Sequence, residues 1–455
     1  FLVNWFDLTY PRYYRATDNV LAFTSANAQA ATVYGFTDRN VMVFDLSDPR
    51  LPKAVSNVKI EASGGAFRAT FKPSAAGVPY LATTTGAVKR ITTLAADTPS
   101  NLSAKNAANY IVITNGALKP AAEALAAYRA GQGLKTMVVD VQDIYDEFNF
   151  GVASPQAIDS FLTHAYQKWS PKPSYVLLAG AGSYDYKNNL GAGDCIVPPQ
   201  MVMALGSLVA ADGTYADVVG DAAPELAVGR LPVVTAEELS AYTAKIQAYE
   251  AADPSGWSRQ VLLLADNPDA QAGDFTADSE LLAGAVPGGY NVLKYYLGPQ
   301  TAAQVRTQTL AALTAGVGVF NYVGHGGLDS LAAEKLLKSA DVPTLANSPR
   351  LPLMSAATCV VGDYATPAYR TLGVLMALQG NGGAAAVFAP TGESFDADAV
   401  PLDLKLFQNL FGGPGARVGD ATRAALSQYA ADGGAVYALQ TYNLLGDPAA
   451  LMRWR

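Results

Sequence analysis

Two residues of this 455-residue chain have the type and setting that acyl-transfer chemistry needs. His325 lies in NYVGHGG and Cys359 in PLMSAATCVVGDY, each directly after a short apolar run that reads as a buried strand. Loops leaving the C-terminal ends of parallel strands face a crevice, where the scaffold holds side chains while substrate keeps access. An imidazole placed there takes or shares the thiol proton, and the thiolate then attacks a peptide carbonyl. The competing reading of Cys359 is a small buried hydrophobe. The intervening chain is no obstacle, because neighbouring strands deliver their loops to one sheet edge. The other histidine, His164 in FLTHAYQKW, reads as a helix-face residue packed or hydrogen-bonded locally.

Gly324, Gly326 and Gly327 surround the histidine. They permit close substrate approach, and the Gly326 N–H can stabilise the oxyanion of acyl transfer, with the Cys359 N–H as second donor. The alternative is a glycine-rich packing turn. Other polar clusters have blander readings. GAGSYDY at 180–186 lacks a complete phosphate-loop or dinucleotide pattern and reads as a structural turn. Asp212, Asp217, Asp221 and Glu225 offer hard oxygens suited to calcium, but without the regular spacing of a calcium loop; solvation and turn capping are preferred. Cys195, before IVPP, reads as a buried thiol.

The elements that must position His325 and Cys359 follow from the pattern. Residues 1–105 carry short β-branched or alternating runs (AATVYGF, NVMVFDL, VSNVKIEA, AFRATF) broken by turn residues, which predicts a β-rich domain with antiparallel connections. From residue 106 the text changes to strand, helix, strand: 110–114, 119–129, 136–141, a helix opened by Ser154-Pro155, then 175–179. The alternation restarts after a Gly/Asp-rich middle with a helix at 237–250, strands at 261–265, 317–322, 353–357 and 384–388, and Leu-rich helices between and after them. The expected fold is α/β: two adjacent subdomains, 106–232 and 233–455, with mainly parallel sheets covered by helices, behind the β-rich N-terminal domain.

Composition narrows the class. Half the chain is hydrophobic and only 15% charged, which excludes a wholly disordered chain. The net charge of -8 repels a polyanion, so no nucleic-acid partner is expected. No uninterrupted apolar run reaches the ~20 residues of a membrane-crossing helix. Two cysteines cannot build a disulfide-dense or all-cysteine zinc framework. FLVNWFDL at the start does not read as a signal peptide, which is compatible with a processed chain, an excised part or a protein that never had one.

FNYVGHGG followed by PLMSAATCVVGDY resembles the gingipain-like cysteine peptidases, within the wider caspase and hemoglobinase-like group. The flanking segments DGTYADVVGDAAPELAVGRLP (with Gly229, Arg230 and Pro232) and YNLLGDPAALMRW (with Gly446, Asp447 and Pro448) agree, extending the resemblance over about 110–455. WFDLTYPRYYR and VFDLSDPRLP look like the β-rich region that precedes such catalytic domains in bacterial secreted members. The resemblance implies an endopeptidase acting on protein or peptide substrates, with Cys359 as nucleophile, His325 as general acid/base and Gly326 as oxyanion donor. It implies a secreted or cell-surface location. No cofactor is implied for the chemistry, although related proteins contain structural calcium. Asp266 resembles the acid that orients the histidine, with loop capping as its alternative. Asp274 resembles an acid that binds a basic P1 side chain, with capping of the following helix as its alternative. Two competing functions remain at this level: an inactive interaction or assembly module on the same fold, and a transpeptidase passing the same acyl-enzyme to an amine.

Overall fold

The computed structural model describes residues 8, 10, 12–92, 96–254, 256–413 and 415–454. FLVNWFDL and the start of WFDLTYPRYYR therefore fall largely outside the described residues. Contacts divide the chain into two compact units, Phe1–Thr98 and Pro99–Arg455.

In the first unit the repeated turns produce antiparallel pairing. Strands Val20–Thr24, Pro79–Thr84, Val41–Asp45 and Lys53–Ala54 form one sheet in that order; Ala31–Phe36, Ala66–Phe71 and Lys59–Ser63 form another. Alternation buries one side of each, with Val33, Phe36, Val43, Ala69, Phe71 and Tyr80 in a shared core.

The second unit is built on ten strands: β1 (Tyr110–Thr114), β2 (Thr136–Asp140), β3 (Tyr175–Ala179), β4 (Ala227–Leu231), β5 (Gln260–Ala265), β6 (Asn291–Tyr296), β7 (Val319–Val323), β8 (Leu353–Ala357), β9 (Ala386–Pro390) and β10 (Tyr442–Leu445). They make one continuous sheet in the order β6-β5-β7-β8-β9-β10-β4-β3-β1-β2. Every pairing is parallel except β9 with β10. The two halves meet where β10 lies beside β4, registered at Leu445 and Arg230.

Helices cover both faces, which is why these strands read as unbroken apolar runs. Along β5, Val261, Leu263 and Ala265 enter a core that spans both halves, while Leu262 and Leu264 enter a second core on the opposite face. Each fully buried leucine contributes roughly 1.5–3 kcal/mol relative to exposure. A buried ion network ties three distant segments together: the Arg129 guanidinium, on helix Lys119–Gly131, donates to Glu250 at 2.8 Å and to Asp447 at 2.7 Å. The Tyr110 hydroxyl also donates to Asp447. Near the β4–β10 junction, Arg230 pairs with Asp212 and donates to the carbonyls of Gly180 and Val197. Among the described residues no helix is long and apolar enough to cross a membrane.

Candidate active site

β7 and β8 lie side by side with Val323 opposite Ala357. His325 and Cys359 each follow two residues later, on adjacent loops at the C-terminal edge of the sheet. Both line one cavity of about 480 Å³, together with Asp269, Phe275, Ala357, Thr358, Ser394, Phe395, Asp396 and Ala399. The sequence-predicted nucleophile and base thus share one opening.

Local packing fixes the histidine loop. Gly324 has φ of +147°, and a Cβ there would fall 2.4 Å from the Asp266 Cβ. A Cβ on Gly326 would fall 2.3 Å from Thr358 Oγ1 and 3.1 Å from the Cys359 carbonyl oxygen, so this glycine lets the histidine loop lie against the cysteine loop. Among the described residues, neither the Gly326 nor the Cys359 main-chain N–H donates to a protein acceptor. The Tyr322 hydroxyl and the Ala332 N–H both donate to the His325 carbonyl, at 2.6 and 2.8 Å.

Two acids serve the histidine differently. Asp266 is 3% exposed and its carboxylate accepts the His325 main-chain N–H at 3.3 Å and the Asn267 N–H at 2.8 Å. Burial raises its pKa against those two hydrogen bonds. The imidazole itself meets Asp269: Nε2 lies 3.3 Å from Oδ2, in a pair open to solvent. Main-chain N–H groups of Gln271 and Ala272 and the imidazole hold the Asp269 carboxyl below its ordinary range. The His325 and Phe275 rings meet in a T-shaped contact, with centroids 5.2 Å apart. Asp266, expected to hold the ring, holds the loop; Asp269, which the sequence reading passed over inside a turn-like NPD, is the ring's partner.

Cys359 is partly buried, and its Sγ lies 3.5 Å from both the Ser394 N–H and the Ser394 carbonyl. Burial pushes the thiol pKa up, with the Glu393 charge adding to the rise and the Ser394 N–H opposing it. The next residue, Val360, has φ of +44°, a strained conformation for a β-branched side chain, held by its N–H donating to the Gly392 carbonyl.

Asp274 caps helix Phe275–Gly284 by accepting the Ala277 N–H at 3.1 Å, the role named as its alternative, and does not line the cavity. The acid that does line it besides Asp269 is Asp396, the first residue of helix Asp396–Gly412. Burial, then the neighbouring Asp278 charge, pushes Asp396 up to about 7. Asp278 is raised as well, burial again being the leading cause, since neighbouring carboxyls resist ionising together. Phe395, 60% exposed, stands beside it at the rim.

The remaining candidates lie elsewhere. His164 packs edge-on to Phe148 in the first half of the sheet unit. Cys195 is a free thiol whose pKa burial raises. Asp212 is committed to Arg230, while Asp217, Asp221 and Glu225 accept main-chain N–H groups of their own turns.

A family model, peptidase family C25, matches residues 103–453. The chain belongs to this family. It is a gingipain-like cysteine peptidase, whose substrates are proteins. Solved structures agree in fold. The complex of RgpB pro- and mature domains from Porphyromonas gingivalis is 22% identical, with a TM-score of 0.63, over 76% of this chain and 79% of that one. The Arg-specific cysteine proteinase gingipain R is 21% identical, with the same TM-score of 0.63, over 78% and 80%. Dimeric latent PorU from Porphyromonas gingivalis, 16% identical with a TM-score of 0.54, matches 97% of this chain but only 40% of its own. No curated protein sequence matches the chain.

Proposed function

We propose that the protein hydrolyses peptide bonds through Cys359 and His325 by way of an acyl-enzyme. The observation that carries this reading is the shared cavity at the ends of two registered neighbouring strands. With Nε2–H donated to Asp269, Nδ1 of His325 is left to take the Cys359 proton as Sγ bonds to the scissile carbonyl carbon. The carbonyl oxygen becomes an oxyanion, received by the free N–H groups of Gly326 and Cys359. Its collapse breaks the C–N bond, and the imidazolium returns the proton to the leaving amine. Water, deprotonated by His325, then attacks the thioester and releases Cys359.

The raised thiol pKa supports a resting neutral thiol that ionises as the imidazole takes its proton, because burial and Glu393 outweigh the Ser394 N–H and no permanent cation is among the groups acting on it. We assign the basic P1 preference to Asp396 and Asp278 rather than Asp274. Asp396 faces the cavity, and a guanidinium or ammonium would displace the proton that Asp396 carries. Phe395 would cover the apolar stem of such a side chain. The chemistry draws on no metal or organic cofactor, and a secreted or cell-surface setting suits the reading.

The test is product analysis on peptides varied at P1, with and without an added amine. Cleavage products terminating in free carboxylate establish hydrolysis; products joined to the amine establish transfer. A folded protein that cuts nothing across the panel contradicts both and favours the assembly module.

A further inference from the structure

Beneath the cleft, the same two strands and the same helix meet a second time. Asn321 of β7 is the register partner of Ser355 of β8, two residues before the paired Val323 and Ala357 and on the same sheet face as that pair. Asp403 reaches them from helix Asp396–Gly412, two turns beyond Asp396. All three side chains are buried, with exposures of 0%, 0% and 2%. The Asn321 Nδ2 group donates to Ser355 Oγ at 2.8 Å and to Asp403 Oδ2.

Two oxygens in this cluster have no donor: Asn321 Oδ1 and Asp403 Oδ1. Each belongs to a group whose other polar atom joins the Asn321–Asp403 contact, so one proton between them would satisfy both. An ionised Asp403 would instead leave a buried charge and two orphaned acceptors, a cost that the hydrogen bonds from Asn321 and Ser355 offset only in part. Its protonation is governed by burial, opposed by Asn321 and Ser355, with no cation among those groups. The titratable neighbour that would feel a charge there is the Tyr442 phenol of β10, whose hydroxyl lies 3.3 Å from Ser394 Oγ beside Cys359.

We infer that Asp403 is a positioning residue held as a neutral carboxylic acid, donating to Asn321 in a cyclic acid–amide pair that clamps the cleft helix to the strands bearing His325 and Cys359. The clamp sets where Ala399 and Asp396, one and two turns up the helix, stand relative to Cys359 and His325. Only this positioning role rests on the proposed peptidase mechanism; the protonation does not. Neutrality also keeps negative charge from accumulating behind the Cys359 thiolate. Burial pushes the Asp403 carboxyl up to about 7, in keeping with a proton held at mildly acid pH.

Two variants of the full chain test it. Asp403→Asn keeps the shape, offers an amide N–H in place of the acid O–H and cannot ionise; Asp403→Leu removes the pairing. Infrared difference spectra, parent minus D403N, near pH 6 should show a protonated-carboxyl C=O component that D403N loses, while the component from Asp396 remains in both. A raised folded pKa means that the carboxyl's contribution is fully present below the unfolded value and is lost as pH rises through the folded one. The parent's melting temperature should therefore fall relative to that of D403N between about pH 4 and about pH 8. D403N should retain the parent's ratio of Arg to Ala P1 cleavage, and D403L should lose severalfold of it while Cys359 still reacts with iodoacetamide. An unchanged carboxyl band in D403N, or parallel melting curves for parent and D403N, overturns the neutral acid without reference to activity, and stands even if D403L does not fold. Equal P1 ratios in parent and D403L overturn the positioning role.

Discussion

His325 and Cys359 stand in matched positions, each two residues past the directly paired Val323 and Ala357. Because neighbouring strands lie ~4.8 Å apart, this register alone brings the two loops together without a long-range coincidence. The remaining freedom is in the loops, and Gly324, Gly326 and the Asp266 carboxylate take most of it away.

Replacing Gly326 with alanine tests how closely those loops must pack. The new methyl would collide with Thr358 Oγ1 and press on the Cys359 carbonyl, moving an oxyanion N–H away from its target. Loss of one such donor costs ~10²–10³ in kcat. We expect G326A to lose kcat on that order with little change in KM, read from initial rates on one peptide. A fall confined to KM would assign the glycine to substrate docking instead.

The carboxyl pair predicts a pH-dependent selectivity. Asp396 carries its proton up to about 7, so the cavity is less negative below that pH and more negative above it. The kcat/KM for Arg or Lys at P1 should rise relative to Ala or Leu as pH increases through about 7, and Asp396→Asn should flatten the ratio. Asp274→Asn should leave the ratio unchanged, since that side chain caps a helix. A ratio independent of pH, or one abolished by D274N alone, would return the P1 role to Asp274.

The Arg129 network should matter to stability and not to catalysis. Arg129→Met leaves Glu250 and Asp447 buried without their shared cation, and breaking a buried pair in this way costs ~3–5 kcal/mol. Denaturant unfolding should show that loss, with the P1 preference of the folded fraction unaltered. A change below about 1 kcal/mol would mean that Tyr110 and the main chain suffice to hold Asp447.

The placement of His325 and Cys359 at neighbouring strand ends was legible in the sequence because short apolar strands followed by GHGG and TCVV mark strand ends by composition alone, and parallel geometry does the rest. The antiparallel β9–β10 pairing and the single Arg230–Leu445 junction were not, since a strand's direction in a sheet leaves no trace in its own residues. The acids were the hardest to place. Asp266, Asp269, Asp274, Asp278 and Asp396 are all plausible cleft carboxylates by type, and only side-chain direction separates the loop anchor, the ring partner, the helix cap and the cavity-lining Asp396 with its neighbour Asp278. The Asn321–Ser355–Asp403 cluster was hidden for a related reason: one polar residue in each of three apolar elements looks incidental until the register places them together.

The most direct measurement is covalent capture. A peptidyl ketone inhibitor with Arg at P1 should label the folded protein once, and mass mapping should place the adduct on Cys359, with labelling abolished in Cys359→Ala and slowed by ~10² or more in His325→Ala. Labelling that settles on Cys195, or that proceeds at the parent rate in the His325 variant, would contradict the dyad.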